Sequence, residues 1–298
     1  MTEIFLPPVL NDGDASRDRL RAEVVMKIRS FPSMPAFVGQ VITLLSDPNA
    51  DVDKIALRIK FDAGMTANIL RLANSAEFGS HRSVRSLQEA IVRLGLKQLF
   101  QLVVACGMGR RLSPAMPGYE LQPFDNLRHS LWTALAAEEF CKTLDIAAPD
   151  MLFTAGLLHD IGKMITDEFI LARKSDITGR AKGHSLSFDD AEMEVLGICH
   201  AQAGAEILDA WHFPKELVAC TRWHHRPEQA GEFIPIASIV HIAEFLGYAE
   251  GVGTGIDGLS YRLSQQAIDQ LGIRKTTLEL VASHTLKQVN ELEQLLKN

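Results

Sequence analysis

The stretch GLLHDIGK, residues 156–163, places a histidine and an aspartate side by side in an apolar segment. Imidazole and carboxylate groups bind divalent metal ions. On a helix His159 and Asp160 would point about 100° apart, so the carboxylate could bridge two ions while the imidazole holds one. Lys163, one turn later, would meet a phosphate or an activated hydroxide, or would be a solvated lysine at a helix end. Alternatively, the pair only forms hydrogen bonds that support the fold.

Histidine and carboxylate side chains recur at further places in the second half of the chain. Asp125 and His129 are four residues apart and share one face of a helix. Glu244 follows His241 by three residues and lies on a neighbouring position of the same face. The complete set of predicted metal ligands is Asp125, His129, His159, Asp160, His200, His224, His225 and Glu244.

Most of these residues have apolar neighbours, and burying so many ionisable groups is costly unless they are paired or coordinate a cation. Histidine and carboxylate ligands without thiolate predict a two-metal site. We expect iron or manganese, with zinc or nickel as alternatives. Two ions about 3.5–4 Å apart can activate a water and stabilise the leaving oxygen of a phosphoester. In such a reaction Asp160 and Lys163 would be the catalytic residues.

Helical periodicity dominates the segments that must position these side chains, which predicts an all-α fold. Ser86 and Glu89 form a capping box at the start of one predicted helix. The three prolines in 112–126 indicate a linker. The Gly-rich segment 251–258 lacks the spacing of a phosphate-binding motif. Asp62 and residues 73–75 could cap helices or line a ligand groove. The last helix could dock on the body or form a dimer seam. The predicted helices are 38–47, 51–62, 64–79, 86–108, 125–144, 150–169, 188–211, 215–225, 234–251 and 276–297.

Composition limits the function classes. The chain has 298 residues, 47% of them hydrophobic, as expected of a globular protein with a substantial core. The net charge of −7 gives no indication of nucleic-acid binding. The N-terminus lacks a signal-peptide pattern, and the longest apolar run, 102–109, is too short to span a bilayer. The four cysteines form no C-x-x-C motif and predict reduced thiols in a cytoplasmic protein.

The sequence resembles a known family at these motifs. His129 with His159–Asp160 looks like the HD superfamily of metal-dependent phosphohydrolases. Residues 34–79 and 84–99 resemble the HDOD domain, as do HAQAGAEILDAWHFPKELVACTRWHHRPE and IVHIAEFL further on. The matching positions in the first half are Pro35, Asp62, Asn74, Ser75, Ser86, Ala90, Leu94 and Gly95.

The predicted ligands also resemble those of the HD-GYP phosphodiesterases, which cleave cyclic di-GMP. His129, His159–Asp160, Lys163, His200 and His224–His225 match motif positions of that family. Asp125 stands in place of a glutamate and Glu244 in place of an aspartate. The Gly-Tyr-Pro signature is absent, because RPEQAGEFIP follows His225.

The resemblance implies an all-helical bacterial regulator in signal transduction. The predicted organisation is an N-terminal arm (1–24), an HDOD helical subdomain (25–115) and an HD-like helical domain (120–298). Three functions stay open: a metal-binding regulator acting through an unidentified protein partner, a phosphohydrolase acting on a nucleotide or cyclic dinucleotide, and a metal-free signalling scaffold. A nucleotide or phosphate ligand is compatible with the first two. No membrane or nucleic-acid partner is expected.

Overall fold

The structure, a computed structural model, describes residues 12–32, 41, 51–60, 62–75, 83–149, 151–183, 186–258 and 260–297. These residues form helices, turns and irregular segments but no strand; the one β-bridge among them joins Met116 to Leu121. The predicted all-α class is therefore confirmed. The helices are α1 (Asp12–Ser30), α2 (Val52–Ile59), α3 (Ala63–Ala73), α4 (Leu87–Leu112), α5 (Asp125–Thr143), α6 (Leu152–Leu158), α7 (Lys163–Ala172), α8 (Lys174–Gly183), α9 (Phe188–Leu196), α10 (His200–Ala210), α11 (Lys215–Trp223), α12 (Ile234–Ala249), α13 (Gln265–Leu271) and α14 (Lys275–Lys297).

The described helices bury two apolar cores. Helices α2, α3 and the first part of α4 form the smaller core, and α5 to α14 form most of the larger one. Val103 packs in the smaller core and Val104 in the larger, so the two cores meet within α4. Helix α1 packs on the larger core through Val24 and Ile28. The proposed division at 24/25 therefore falls inside a helix, although the domain organisation itself stays a prediction.

Side-chain caps fix the starts of the N-terminal helices. Asp62 Oδ1 accepts a hydrogen bond from Met65 N at 2.8 Å, and Ser86 Oγ accepts one from Glu89 N at 3.1 Å. The Asn74 side chain accepts from Val84 N and donates to Val84 O. Capping and turn formation therefore account for Asp62 and Asn74. The predicted helix 38–47 lies outside the described residues except for residue 41.

Three predicted continuous helices are wrong. Residues 86–108 are kinked at Gly95, whose φ of 77° and ψ of 165° are not helical, and two other predicted helices are each broken into two. Residues 150–169 contain α6 and α7, separated by a turn at 159–162. A Cβ atom on Gly162 would lie only 1.9 Å from His200 O, so this turn packs directly on the first turn of α10. Residues 188–211 contain α9 and α10, and Gly197 ends α9 with a left-handed φ of 72°.

Helix α14 docks on the body, against α5. His284 Nδ1 lies 2.7 Å from Glu139 Oε1, and Arg128 donates to Glu293 Oε2 at 2.8 Å. Val281 is fully buried in the larger core. This position of α14 agrees with the interpretation of the last helix as one that docks on the body, rather than as a dimer seam.

Two helical segments, Leu87–Leu112 and Gly231–Ala249, are long and apolar enough to cross a membrane by length and composition alone. Half of the apolar window in the first and 67% of that in the second are buried inside the protein. The run 102–109, which looked short by itself, is part of the first helix. Both segments contribute to the cores, which is a sufficient reason for their apolar character.

Candidate metal centre

Seven of the eight predicted ligands converge on one buried site. The convergence depends on α5, α10 and α12 and on the turns that follow α6 and α11. Their donor atoms form two groups, within each of which the atoms lie within 4.8 Å of one another. One group is His129, His159, Asp160 and Glu244; the other is His200, His224 and His225.

Asp160 lies between the two groups and faces each of them with a different oxygen. Its Oδ2 lies 3.3 Å from His159 Nε2 and 3.8 Å from His129 Nε2. Its Oδ1 lies 3.5 Å from His200 Nε2 and 3.8 Å from His224 Nε2. A carboxylate in this position can contact two cations at once.

Glu244 also joins the two groups. Its Oε1 lies 3.8 Å from His159 Nε2 and 4.0 Å from His224 Nε2, and its Oε2 lies 3.6 Å from His225 Nδ1. Burial raises the pKa of Glu244 to about 8. The carboxyl group is therefore sensitive to any positive charge placed beside it.

Four histidines are oriented through their Nδ1 atoms. His159 Nδ1 lies 2.7 Å from Gly156 O, and His224 Nδ1 lies 2.7 Å from Thr221 O. His129 Nδ1 lies 3.1 Å from Val252 O. His200 Nδ1 instead contacts a carboxylate, Glu192 Oε2, at 2.7 Å. In a neutral imidazole whose Nδ1–H donates in this way, Nε2 keeps its lone pair, which is the arrangement of metal-ligating imidazoles.

The inward-facing Nε2 atoms lack ordinary partners. Among the described residues, Nε2 of His129, His159 and His224 has no hydrogen-bond partner, although all three side chains are buried. Burial lowers the pKa of His129 to about 3 and that of His224 well below its usual range. Buried donors and acceptors are almost always satisfied. These atoms and the histidine–carboxylate composition therefore fit a metal ion.

His225, the remaining histidine of the site, is positioned by contacts with other rings rather than by a backbone carbonyl. Its Nε2 lies 2.9 Å from His200 Nε2, so one of the two nitrogens carries a proton. Its ring stacks on Tyr261 with 3.9 Å between centroids. His241, by contrast, is a positioning residue, since its Nδ1 lies 2.7 Å from His224 O.

Lys163 is buried at the first turn of α7, which excludes the interpretation as a solvated lysine at a helix end. Its Nζ lies 2.8 Å from Asp160 Oδ2 and 2.6 Å from Asp257 Oδ2. It also donates to Tyr248 Oη at 3.2 Å. Burial alone would lower the pKa of Lys163, but the two carboxylates raise it above its usual value.

Asp125, the eighth predicted ligand, lies outside both groups. Its Oδ2 accepts a hydrogen bond from Gln122 N at 2.8 Å, at the start of α5. Its assignment as a ligand stays a prediction, which would require the carboxylate to leave this turn.

Two carboxylates of the site were not predicted from the sequence. Glu192 on α9 holds His200, and Asp257 in the Gly-rich segment 251–258 holds Lys163. Neither has a sequence spacing that links it to the HDIGK motif. A predicted break in the helix before His200 would have been a signal for Glu192. Glu192 lies eight residues earlier, and only a break between the two residues lets its carboxylate fold back onto the His200 ring.

A cavity of about 270 Å³ lies beside His225. It has both acidic and basic walls. Its polar lining includes Asp189, Asp190, Arg226, Arg262 and Ser264. Arg226 is paired with Asp189 at 2.8 Å and with Asp190.

Solved structures of other proteins share this architecture. A Geobacter sulfurreducens HDOD domain protein of unknown function superposes with a TM-score of 0.70 at 20% identity, covering 95% of this chain and 98% of that one. A candidate phosphohydrolase from Shewanella amazonensis SB2B gives 0.68 at 24% identity, covering 92% and 98%. At these identities the likeness establishes the fold alone.

Sequence comparison gives the family. An uncharacterized protein of Treponema pallidum (strain Nichols) is 28% identical over 237 residues, 76% of this chain and 44% of the relative, so this chain spans less than half of that relative's length. The sequence profile of the HDOD domain matches residues 31–227. This match covers more than half of the chain, and the chain therefore belongs to the HDOD domain family.

Proposed function

We propose that this chain is a bacterial regulatory HDOD protein whose buried site binds two divalent metal ions. The observation that carries the proposal is the set of Nε2 atoms of His129, His159 and His224, which are buried and have no hydrogen-bond partner among the described residues. Their Nδ1 atoms are already held by backbone carbonyls. The metal-free scaffold, in which the polar residues satisfy one another, does not account for these atoms.

The two groups of donors suggest how the ions would be held. His129, His159 and Glu244 would hold one ion, and His200, His224 and His225 the other, with Asp160 shared between them. Iron or manganese suits imidazole and carboxylate ligands, and zinc or nickel are alternatives. Among the described cysteines none contributes to either donor group.

A regulatory role would be exerted through a protein partner, or through a nucleotide or phosphate ligand that binds near the metals. The family assignment and the resemblance to bacterial regulators support this role, and a cytoplasmic location goes with it. No surface among the described residues identifies the partner. A protein of this kind would pass a change in site occupancy to its surface through the helices that carry the ligands.

A second candidate function is metal-dependent phosphohydrolysis. Two bound divalent ions would supply a nucleophile at neutral pH and a clamp for the leaving oxygen of a phosphoester. Asp160 would hold both ions, and Lys163 would lie beside the reacting phosphate. The specific observation in favour is the cavity beside His225, whose charged and polar lining includes Arg226 and Arg262.

The test is metal content per chain, measured by elemental analysis on protein purified without added metal, in air and anaerobically. The wild type should carry about two equivalents, as a two-ion site requires. The double variant His159→Ala/Asp160→Ala should lose the metal while keeping its helical circular dichroism. His284→Ala, which removes a half-exposed histidine that belongs to neither donor group, is the matched control.

Unchanged metal content in the double variant would contradict the site. Turnover is tested separately, on metal-loaded protein, with a panel of phosphomonoesters, phosphodiesters and cyclic dinucleotides. Hydrolysis that is lost in the double variant would support the second candidate. Fully metal-loaded protein without any turnover would contradict the second candidate and support the regulatory function.

A further inference from the structure

Lys163 is shared by two buried carboxylates that belong to different parts of the chain. Its ammonium nitrogen lies 2.8 Å from Asp160 Oδ2 and 2.6 Å from Asp257 Oδ2. All three side chains are almost fully buried. The rings of Tyr119, Tyr248 and Tyr261 surround the nitrogen at 5.2, 5.8 and 5.9 Å, which adds cation–π stabilisation.

Asp257 reaches this position because the Gly-rich segment 251–258 folds tightly onto the rest of the site. A Cβ atom on Gly253 would lie 2.4 Å from Asp125 O, and one on Gly255 would lie 2.3 Å from Tyr119 O. Gly253 also has a left-handed φ of 58°. Asp257 Oδ2 accepts a second hydrogen bond, from Tyr261 Oη at 2.8 Å.

The ammonium group of Lys163 contacts the same oxygen that the first donor group shares. Asp160 Oδ2 is the atom that faces His159 Nε2 and His129 Nε2. A divalent cation bound by these three atoms would place its charge within a few ångströms of the ammonium group. Like charges at that distance in a buried site repel strongly. Asp257 is the carboxylate that can retain Lys163 under those conditions.

We propose that Asp257 is a positioning residue that retains Lys163 when a divalent cation binds Asp160 and displaces the lysine from it. Without a cation, Lys163 pairs with both carboxylates. With a cation, Lys163 pairs with Asp257 alone and stays beside the site as a fixed positive charge, where an anionic ligand would meet it. This inference rests on the proposed metal site and assigns the Gly-rich segment a part in its loading.

The test is a Mn²⁺ titration of the full chain, with free Mn²⁺ followed by electron paramagnetic resonance. Asp257→Asn keeps the shape of the side chain but removes its charge, so Lys163 remains on Asp160 and competes with the cation. We expect Mn²⁺ affinity to fall about tenfold or more, in the range seen when an outer partner of a metal ligand is removed. Asp269→Asn, which makes the same change at an exposed carboxylate on α13 that accepts from Gln265, is the control and should leave Mn²⁺ affinity unchanged.

The dependence on Lys163 is tested by a double-mutant cycle. In a Lys163→Met background, Asp257→Asn should have no further effect on Mn²⁺ affinity, because no lysine is left to compete. An equal loss in both backgrounds would overturn the inference, and so would unchanged affinity in Asp257→Asn. Failure of the wild type to bind Mn²⁺ would contradict the proposed metal site as well, which distinguishes the two failures.

A measurement on the wild type covers the case in which a variant fails to fold. Hydrogen exchange of peptides spanning 251–258 is followed by mass spectrometry with and without Zn²⁺. Pairing of Lys163 with Asp257 alone should tighten this segment and slow its exchange. Exchange that is unchanged although Zn²⁺ has bound would overturn the inference.

Discussion

Glu192 Oε2 accepts two hydrogen bonds from His200, one from the ring Nδ1 at 2.7 Å and one from the backbone N–H at 2.8 Å. Both residues are fully buried. Glu192 Oε1 in turn accepts from Tyr119 Oη at 2.6 Å. Burial alone would lower the pKa of His200, but the Glu192 carboxylate raises it to about 9. One glutamate on α9 therefore fixes the ring whose Nε2 faces Asp160.

Glu192→Gln should weaken metal binding without removing a ligand. The neutral amide is a poorer partner for the His200 N–H, and loss of such outer contacts lowers metal affinity about 10–100-fold. The measurement is competition for Zn²⁺ with a chromophoric chelator. Glu194→Gln, on the same helix but exposed and paired with Arg180, is the control. Equal affinities of the two variants would show that Glu192 does not act on the site.

Gly162→Ala should destabilise the protein, because the added Cβ would lie 1.9 Å from His200 O and 2.5 Å from Gly204 N. Both contacts are with backbone, which cannot move aside cheaply, so we expect a loss of about 2–3 kcal/mol in the free energy of unfolding. Gly179→Ala is the control. Gly179 is exposed on α8 with no atom within 4 Å of its added Cβ, and the change there should stabilise by about 0.5–1 kcal/mol.

Urea unfolding monitored by circular dichroism measures both glycine variants. The account requires opposite signs for the two substitutions. If Gly162→Ala were as stable as the wild type, the turn at 159–162 could not pack on α10 as described.

Cys106 should make stability depend on alkaline pH. Burial raises the pKa of its thiol from 9.0 to about 11. Below pH 9 the thiol is protonated in both states; between pH 9 and 11 it ionises in the unfolded chain alone. The free energy of unfolding should therefore fall as the pH rises through this window, by up to about 1.4 kcal/mol per pH unit from this group. Urea unfolding at pH 8, 9, 10 and 11 measures it, and Cys106→Ala should show a shallower fall. Identical slopes for wild type and variant would contradict the shift.

Most helices could be predicted from the sequence because their apolar periodicity and caps are local. Asp62 and Ser86 cap the predicted helix starts, because each side chain accepts a hydrogen bond from the backbone N–H three residues later. The breaks at 159–162 and at Gly197 were missed because apolar residues continue across both. The close approach of Gly162 to His200 O is a tertiary contact, which periodicity does not contain.

The candidate site divides in the same way. Adjacent pairs such as His159–Asp160 and residues close in one motif could be recognised from residue type and spacing. Glu192 and Asp257 could not, because each acts on a partner that is brought near by folding. Glu244 and Asp257 also lie beyond residues 31–227, so the family match alone would not have included them.

X-ray absorption spectroscopy of the Zn²⁺-loaded protein tests the central claim most directly, because it reports which atoms hold the metal. The account predicts a first shell of nitrogen and oxygen at about 2.0–2.1 Å, with outer-shell scattering from several imidazoles. His159→Ala/Asp160→Ala, loaded under the same conditions, should lose that signal. A sulfur shell at about 2.3 Å, or an imidazole signal that persists in the double variant, would contradict the assignment of the metal to this histidine–carboxylate site.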